Sequence, residues 1–135
     1  MKFTVNNTEV RFEPEESTYR QAVSVLACDL DALQERLARM LKKSRKRGSK
    51  TWVKAYETAE STDRIMRGKV DALLGSGVCT ALYGNTQLTA AGQGVPLWFS
   101  LLDALYSAMD AQLRPKDCEA VIVKYRTKRI ARSRQ

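Results

Sequence analysis

The chain has 135 residues and a hydrophobic fraction of 44%, enough for one domain with a modest core and no disulfide staples. Its 23 lysines and arginines outnumber 15 aspartates and glutamates, giving a formal charge of +8, and histidine is absent. The commonest general base and the commonest zinc ligand are thereby missing.

That charge is uneven. Residues 36–54 carry nine bases and no acid, and residues 124–135 carry six bases and no acid, on an otherwise slightly acidic body. Two such patches can attract nucleic acid or an acidic protein surface, or can simply be a solvated helix end and tail. No apolar run nears the ~18 residues of a membrane span. The start, Met1 to Asn7, turns polar too soon for a secretory signal. The three cysteines, Cys28, Cys79 and Cys118, are odd in number and form no C-x-x-C pair. Free thiols and an intracellular location are expected.

Residues 1–12 read as a β-hairpin. Lys2-Phe3-Thr4-Val5 and Thr8-Glu9-Val10-Arg11-Phe12 alternate apolar with polar around Asn6-Asn7, a pair that tolerates the positive φ of a tight turn. Phe3, Val5, Val10 and Phe12 then share one face. Since a lone hairpin is marginal in water, that face must lie on the helices or meet another chain's strand. Pro14 ends the second strand, and Ser17 or Thr18 caps a long helix.

Tyr19, Val23, Leu26, Leu30, Leu33, Leu37 and Met40 recur at alternating intervals of four and three, the seam of a helix that packs along its length. Ala22, Ala27 and Leu41 widen it to the stripe of a bundle helix. Arg39, Lys42, Lys43, Arg45, Lys46, Arg47 and Lys50 make its end strongly basic. Gly48-Ser49 breaks the helix. A second follows through Trp52, Val53, Tyr56, Ala59, Met66, Val70, Leu73 and Leu74, weakest at Ser61-Thr62-Asp63. A short loop between two long helices predicts an antiparallel hairpin, 18–47 against 51–74, with a basic tip.

Gly75-Ser76-Gly77 lacks the Gly-Lys-Ser/Thr of a phosphate cradle and reads as a helix stop. A helical turn over 78–82 and a loop over 83–94 lead to Pro96, which opens an apolar helix from Leu97 to about Leu113. Pro115 and Asp117 start a last helix. Its Val121, Ile122 and Tyr125 can pack before it becomes basic through Lys124, Arg126, Lys128, Arg129, Arg132 and Arg134. The fold class expected is mainly α: a short N-terminal β-hairpin, a long antiparallel helical hairpin and two further C-terminal helices. One domain covers 1–135, divided into 1–12, 18–74, 78–113 and 116–135.

Enzymatic chemistry finds little support. Asp29 and Asp31, two apart on a helix, point in different directions. Glu57, Glu60 and Asp63 can share a face, but with no histidine nearby they read as an exposed stripe. Each cysteine sits in an apolar helical context suited to a buried thiol. Catalytic, cofactor and metal sites are therefore not expected. Apolar interaction surface is better represented, with Leu26, Leu30, Leu33, Leu37, Trp98, Phe99 and Leu102 as candidate partner-binding residues. Self-association would use the same surface.

The order of parts carries a resemblance. An extended Met-Lys-Phe-Thr-Val-Asn-Asn-Thr-Glu-Val-Arg-Phe start precedes a long helical hairpin. Then come Leu-Tyr-Gly-Asn-Thr and Gly-Val-Pro-Leu-Trp-Phe-Ser-Leu-Leu-Asp-Ala-Leu, and finally a polybasic end. This layout, over most of the chain, resembles small tail-assembly chaperones of long-tailed bacteriophages (siphophage type). The most specific parts are the glycine turn at 83–85 feeding the apolar helix near 97–106, and the basic tail. The resemblance implies a non-enzymatic protein of the bacterial host's cytoplasm that coats the tape-measure protein and keeps it soluble until tail-tube subunits polymerise around it. The tape-measure protein, the major tail tube protein and further copies of the chain are the partners implied. The basic tip is heavier than that layout carries, which supports a second reading as a small helical nucleic-acid-binding protein. Its patches would be Lys42, Lys43, Arg45, Lys46 and Arg47 with Lys128, Arg129 and Arg132. No helix-turn-helix, RNA-recognition strand motif or zinc finger accompanies them.

Overall fold

The structure, a computed structural model, describes residues 2–12, 16–47, 50–92 and 94–133, without the side chains of 16–18, 44–47, 50–52, 132 and 133. It is mainly α, with a two-stranded antiparallel hairpin, long helices and C-terminal helices. The order is β1 (Lys2–Val5), β2 (Thr8–Arg11), α1 (Glu16–Arg47), α2 (Lys50–Leu74), α3 (Val78–Tyr83), β3 (Ala91–Gly92), β4 (Val95–Pro96), α4 (Leu97–Ala108) and α5 (Glu119–Ser133). Two 3-10 turns, Ala111–Leu113 and Lys116–Cys118, lie between α4 and α5.

Asn6 and Asn7 take φ of 51° and 59°, the left-handed pair of the tight turn, so Phe3 faces Val10 and Val5 faces Thr8. Phe3, Val5, Val10 and Phe12 are all buried within the core, and β1 contacts α4. The hairpin is thus covered by this chain's own helices. Asn6 Nδ2 donates to the Leu82 carbonyl at 2.6 Å and ties the turn to α3.

Helix α1 begins at Glu16, ahead of the expected cap; the side chains of Ser17 and Thr18 lie outside the described residues, as do Gly48 and Ser49. The seam holds its register: Tyr19, Val23, Leu26, Leu30 and Leu37 are buried, with Leu33 partly buried against the core. Helix α2 runs beside α1, contributing Met66, Val70 and Leu74. At its end Gly75 and Gly77 adopt φ of 123° and 81°, a left-handed stop that side chains with a Cβ rarely enter.

Helix α4 is the centre of the packing. Trp98, Phe99, Leu101, Leu102, Leu105 and Tyr106 are buried along one broad face of it, while Ser107 on the other side is exposed, the pattern of an amphipathic helix laid on the core. No side chain caps its start. The N–H groups of Leu97 and Trp98 instead donate to the carbonyls of Ala90 (3.0 Å) and Leu88 (3.1 Å) in the preceding loop. The sequence places its end near Leu113, but α4 stops at Ala108 and Met109 is extended (ψ 145°). Arg114 explains this: its guanidinium folds back to donate to the carbonyls of Tyr106 (3.0 Å), Met109 (3.2 Å) and Ser107 (3.1 Å), and lies over the Tyr106 ring.

Candidate functional site

The apolar residues expected to meet a partner are used inside the chain. Trp98 and Phe99 are fully buried, Leu26, Leu30, Leu37 and Leu102 are buried, and Leu33 is half-buried against the same core. Trp98 stacks edge-on against Phe99 and Tyr125, with ring centroids 6.2 and 5.0 Å apart, and its indole N–H donates to Gln34 Oε1 at 2.9 Å. In this conformation a partner helix does not reach Leu30, Trp98, Phe99 or Leu102, while Leu26 keeps an edge on the furrow between α1 and α2. Their periodicity reports an apolar stripe, and α4 and α2 cover it.

The C-terminal bases are also engaged internally. Lys124 Nζ donates to Asp31 (2.9 Å) and Glu35 (2.6 Å) of α1, and the Tyr125 hydroxyl donates to Asp31 (2.7 Å). Arg126 forks onto one oxygen of Asp103 in α4 (2.9 and 2.6 Å), and Arg129 takes the other at 3.1 Å while covering the Phe99 ring. Lys128 is exposed with its ammonium over Tyr125. Lys42 and Lys43 are exposed on α1; the side chains of Arg45, Lys46, Arg47 and Arg132 lie outside the described residues. Much of the C-terminal patch therefore fastens α5 to α1 and α4.

These pairs set local acidities. The Lys124 hydrogen bond and charge hold the Glu35 carboxyl below its ordinary value. Burial pulls the Lys124 ammonium down, but the hydrogen bonds it donates to Glu35 and Asp31, with their charges, outweigh it and hold its pKa above the ordinary lysine value. Burial, then Asp31, raises the Tyr125 phenol.

Two cysteines are packing groups. Burial, with Asp71 adding to it, pushes the Cys79 thiol up to about 12, and burial pushes Cys118 up to about 11. Both thus stay protonated at neutral pH. Cys28 differs from expectation, being exposed on α1. Glu57 and Glu60 are exposed, while Asp63 turns inward. Among the described residues, no group of three or more cysteines or carboxylates is placed to hold a metal ion, and no helix is long and apolar enough to cross a membrane.

Asp63, which the sequence reading puts in an exposed stripe, and Arg67 and Asp71, which it passes over, are organisers of the fold. Asp63 accepts the buried Leu88 N–H (2.7 Å) and pairs with Arg67 (3.0 Å), whose Nη2 donates to the Thr86 carbonyl at 2.6 Å. Asp71 accepts from the N–H groups of Gly77 (3.3 Å) and Cys79 (3.1 Å), serving as the cap α3 lacks locally. Their spacing of four is the signal in the sequence: one face of α2 carrying charge toward whatever follows.

Two concavities stand out among the described residues. One, of about 290 Å³, lies between α1, the 89–96 segment and α5, but its polar groups Gln34, Glu35 and Tyr125 already bind Trp98, Lys124 and Asp31. The other is an open furrow of about 470 Å³ between α1 and α2. Ala22, Val25 and Leu26 form one wall, Ala72 and Leu73 the other, and the Asp29–Lys69 pair (3.2 Å) crosses it. Val25 is 51% exposed there. An apolar floor with one neutralised ion pair can bury an apolar side chain or helix stripe and offers no reacting group. Compared with protein-family models, curated proteins and solved structures, the chain has no match.

Proposed function

We propose that the chain is a non-enzymatic binding protein that holds an apolar helical segment of another protein, acting as a tail-assembly chaperone for a phage tape-measure protein. The observation carrying this reading is the open α1–α2 furrow, an apolar surface left after the core is complete. The layout described above, an extended start, a helical hairpin, a glycine turn and an apolar helix, supplies the identity of the client. A long tape-measure helix needs many weak copies of a binder along it, each displaceable as tube subunits arrive. A shallow half-open furrow suits that better than a deep enclosed pocket, because avidity along one filament compensates for weak single contacts.

The test is co-expression of a tape-measure fragment with and without the chain, reading the soluble fraction. The fragment should be soluble only when the chain is present. Unchanged solubility overturns the reading. Duplex DNA and RNA serve as the competing ligands. An affinity built on about six phosphate contacts falls roughly a thousandfold between 50 and 200 mM salt, whereas burial of apolar area is hardly screened. Nucleic-acid binding that stays tight near 200 mM and vanishes when Lys42, Lys43, Arg45, Lys46 and Arg47 become Gln would assign the chain to the second reading.

A further inference from the structure

The helix faces that form the α1–α2 furrow continue beyond its apolar floor. Five helical turns after Val25, on the same side of α1, stands Lys43, with Arg36 between them; five turns before Ala72, on the same side of α2, stands Lys54. All three are exposed. Ile65, one turn before Lys69, is 49% exposed and carries the apolar surface toward them. The carboxylate lining the furrow, Asp29, is paired with Lys69. The hairpin face therefore has two zones: about three apolar turns near the body and a basic stretch toward the tip.

Gly68 lies on the adjoining part of α2 and is exposed. It stands in the interior of α2, four residues from Ala72 and three from Ile65, where glycine is less favourable than alanine. A Cβ there would meet no atom of this chain within 4 Å. Nothing in the fold requires a bare backbone at this position. The space beside it is open and would admit the backbone of a docked helix.

We infer that the furrow docks an amphipathic helix whose apolar residues span about three turns and whose following turns are acidic. This rests on the reading of the chain as a helix-binding protein and specifies the segment bound. Charge complementarity selects this occupant over a second copy. A two-fold pair of furrows would set Arg36, Lys43 and Lys54 against their twins or over the other copy's apolar floor, leaving them without counter-charge. A partner helix lying from Ala22 to Lys43 would be about 32 Å long, and its acidic turns would meet those three bases.

The test uses the full chain and a synthetic helix of about 21 residues, leucines at three- and four-residue spacing followed by glutamates on the same face, with a version carrying lysines for the glutamates. Fluorescence anisotropy near physiological salt reads the affinity. The acidic peptide should bind about tenfold tighter than the basic one. Val25→Glu with Ala72→Glu should weaken it about tenfold without changing circular dichroism or melting, since both positions are exposed. Arg36→Glu with Lys43→Glu and Lys54→Glu should reverse the preference. Equal binding of the two peptides, no effect of the furrow variant, or no binding up to about 200 µM overturns the inference. So does a wild-type dimer that Val25→Glu makes monomeric, which would assign the furrow to a second copy. Repeating the tape-measure solubility assay with the furrow variant separates the two levels. Protection by the variant equal to wild type rejects the furrow and keeps the chaperone, whereas no protection by wild type rejects the chaperone itself.

Discussion

Asp63 stands in the weakest-looking part of α2, beside Thr62, yet its carboxylate holds the buried N–H of Leu88 at 2.7 Å and the guanidinium of Arg67 at 3.0 Å. Leu88 is fully buried and its carbonyl in turn receives the first turn of α4. Asp63→Ala should cost about 2 kcal/mol, because it strands a buried donor, and Asp63→Asn should cost less, because the amide oxygen still accepts. Urea denaturation measures both, and equal midpoints for Ala and wild type would contradict the role. Leu30→Ala, at a position 1% exposed, should cost about 2–5 kcal/mol. Leu33→Ala should cost distinctly less, since Leu33 is only half-buried. Gly68→Ala should instead stabilise the free chain by about 0.5–1 kcal/mol, the usual gain in an unobstructed helix interior.

At the scale of elements, α5 is fastened by few apolar residues and several ion pairs. Val121, Ile122 and Tyr125 enter the core, while Asp31, Glu35 and Asp103 receive Lys124, Arg126 and Arg129. The sign of the pH dependence follows from the shifts. The Glu35 carboxyl is depressed, so its contribution is present above the ordinary value of 4.5 and lost as pH falls through the lower folded value. The Lys124 ammonium is raised, so its contribution is complete below 10.5 and lost as pH rises through the folded value. The α5 clasp is thus complete between those limits and loosens at either side. Amide hydrogen exchange of α5 should quicken in acid relative to the α4 core, after allowance for intrinsic rates, and Lys124→Gln should flatten that acid dependence. The same pH dependence in the variant would show that Glu35 and Lys124 do not govern the clasp.

For the whole molecule, the main core runs without a break from the β-hairpin through α1, α2 and α4 to α5. Leu37 and Ala55 are buried farther along the helical hairpin, outside that cluster. Stability should therefore be graded: amides of 23–33 exchange only on global unfolding, while those of 40–47 and 50–54 exchange through an earlier, local opening of the tip. Uniform protection along α1 would contradict this gradient. The same division places Arg36, Lys43 and Lys54 beyond the main core, where a docked acidic helix would add order. Much of the apolar surface that motivated an expectation of self-association is internal, although Val53, Tyr56, Val123 and Ile130 are exposed as well as the furrow's Val25.

Much of this was legible in the chain. Asn6-Asn7 dictated the hairpin register, the four-and-three spacing dictated which side of α1 is buried, and Gly75 with Gly77 ended α2, because each is a local consequence of backbone sterics or helical period. The divergence of Asp29 and Asp31 was legible for the same reason, and the structure sends them to α2 and α5 respectively. What covers a stripe was not legible. Periodicity marks Leu26, Leu30, Trp98 and Phe99 as apolar but carries no information on whether the neighbour is another helix of the chain or a partner. Nor does a run of bases disclose that Lys124, Arg126 and Arg129 meet carboxylates 23 to 93 residues away. Those assignments depend on where the long loops bring α4 and α5 against the hairpin, and only non-local packing decides that.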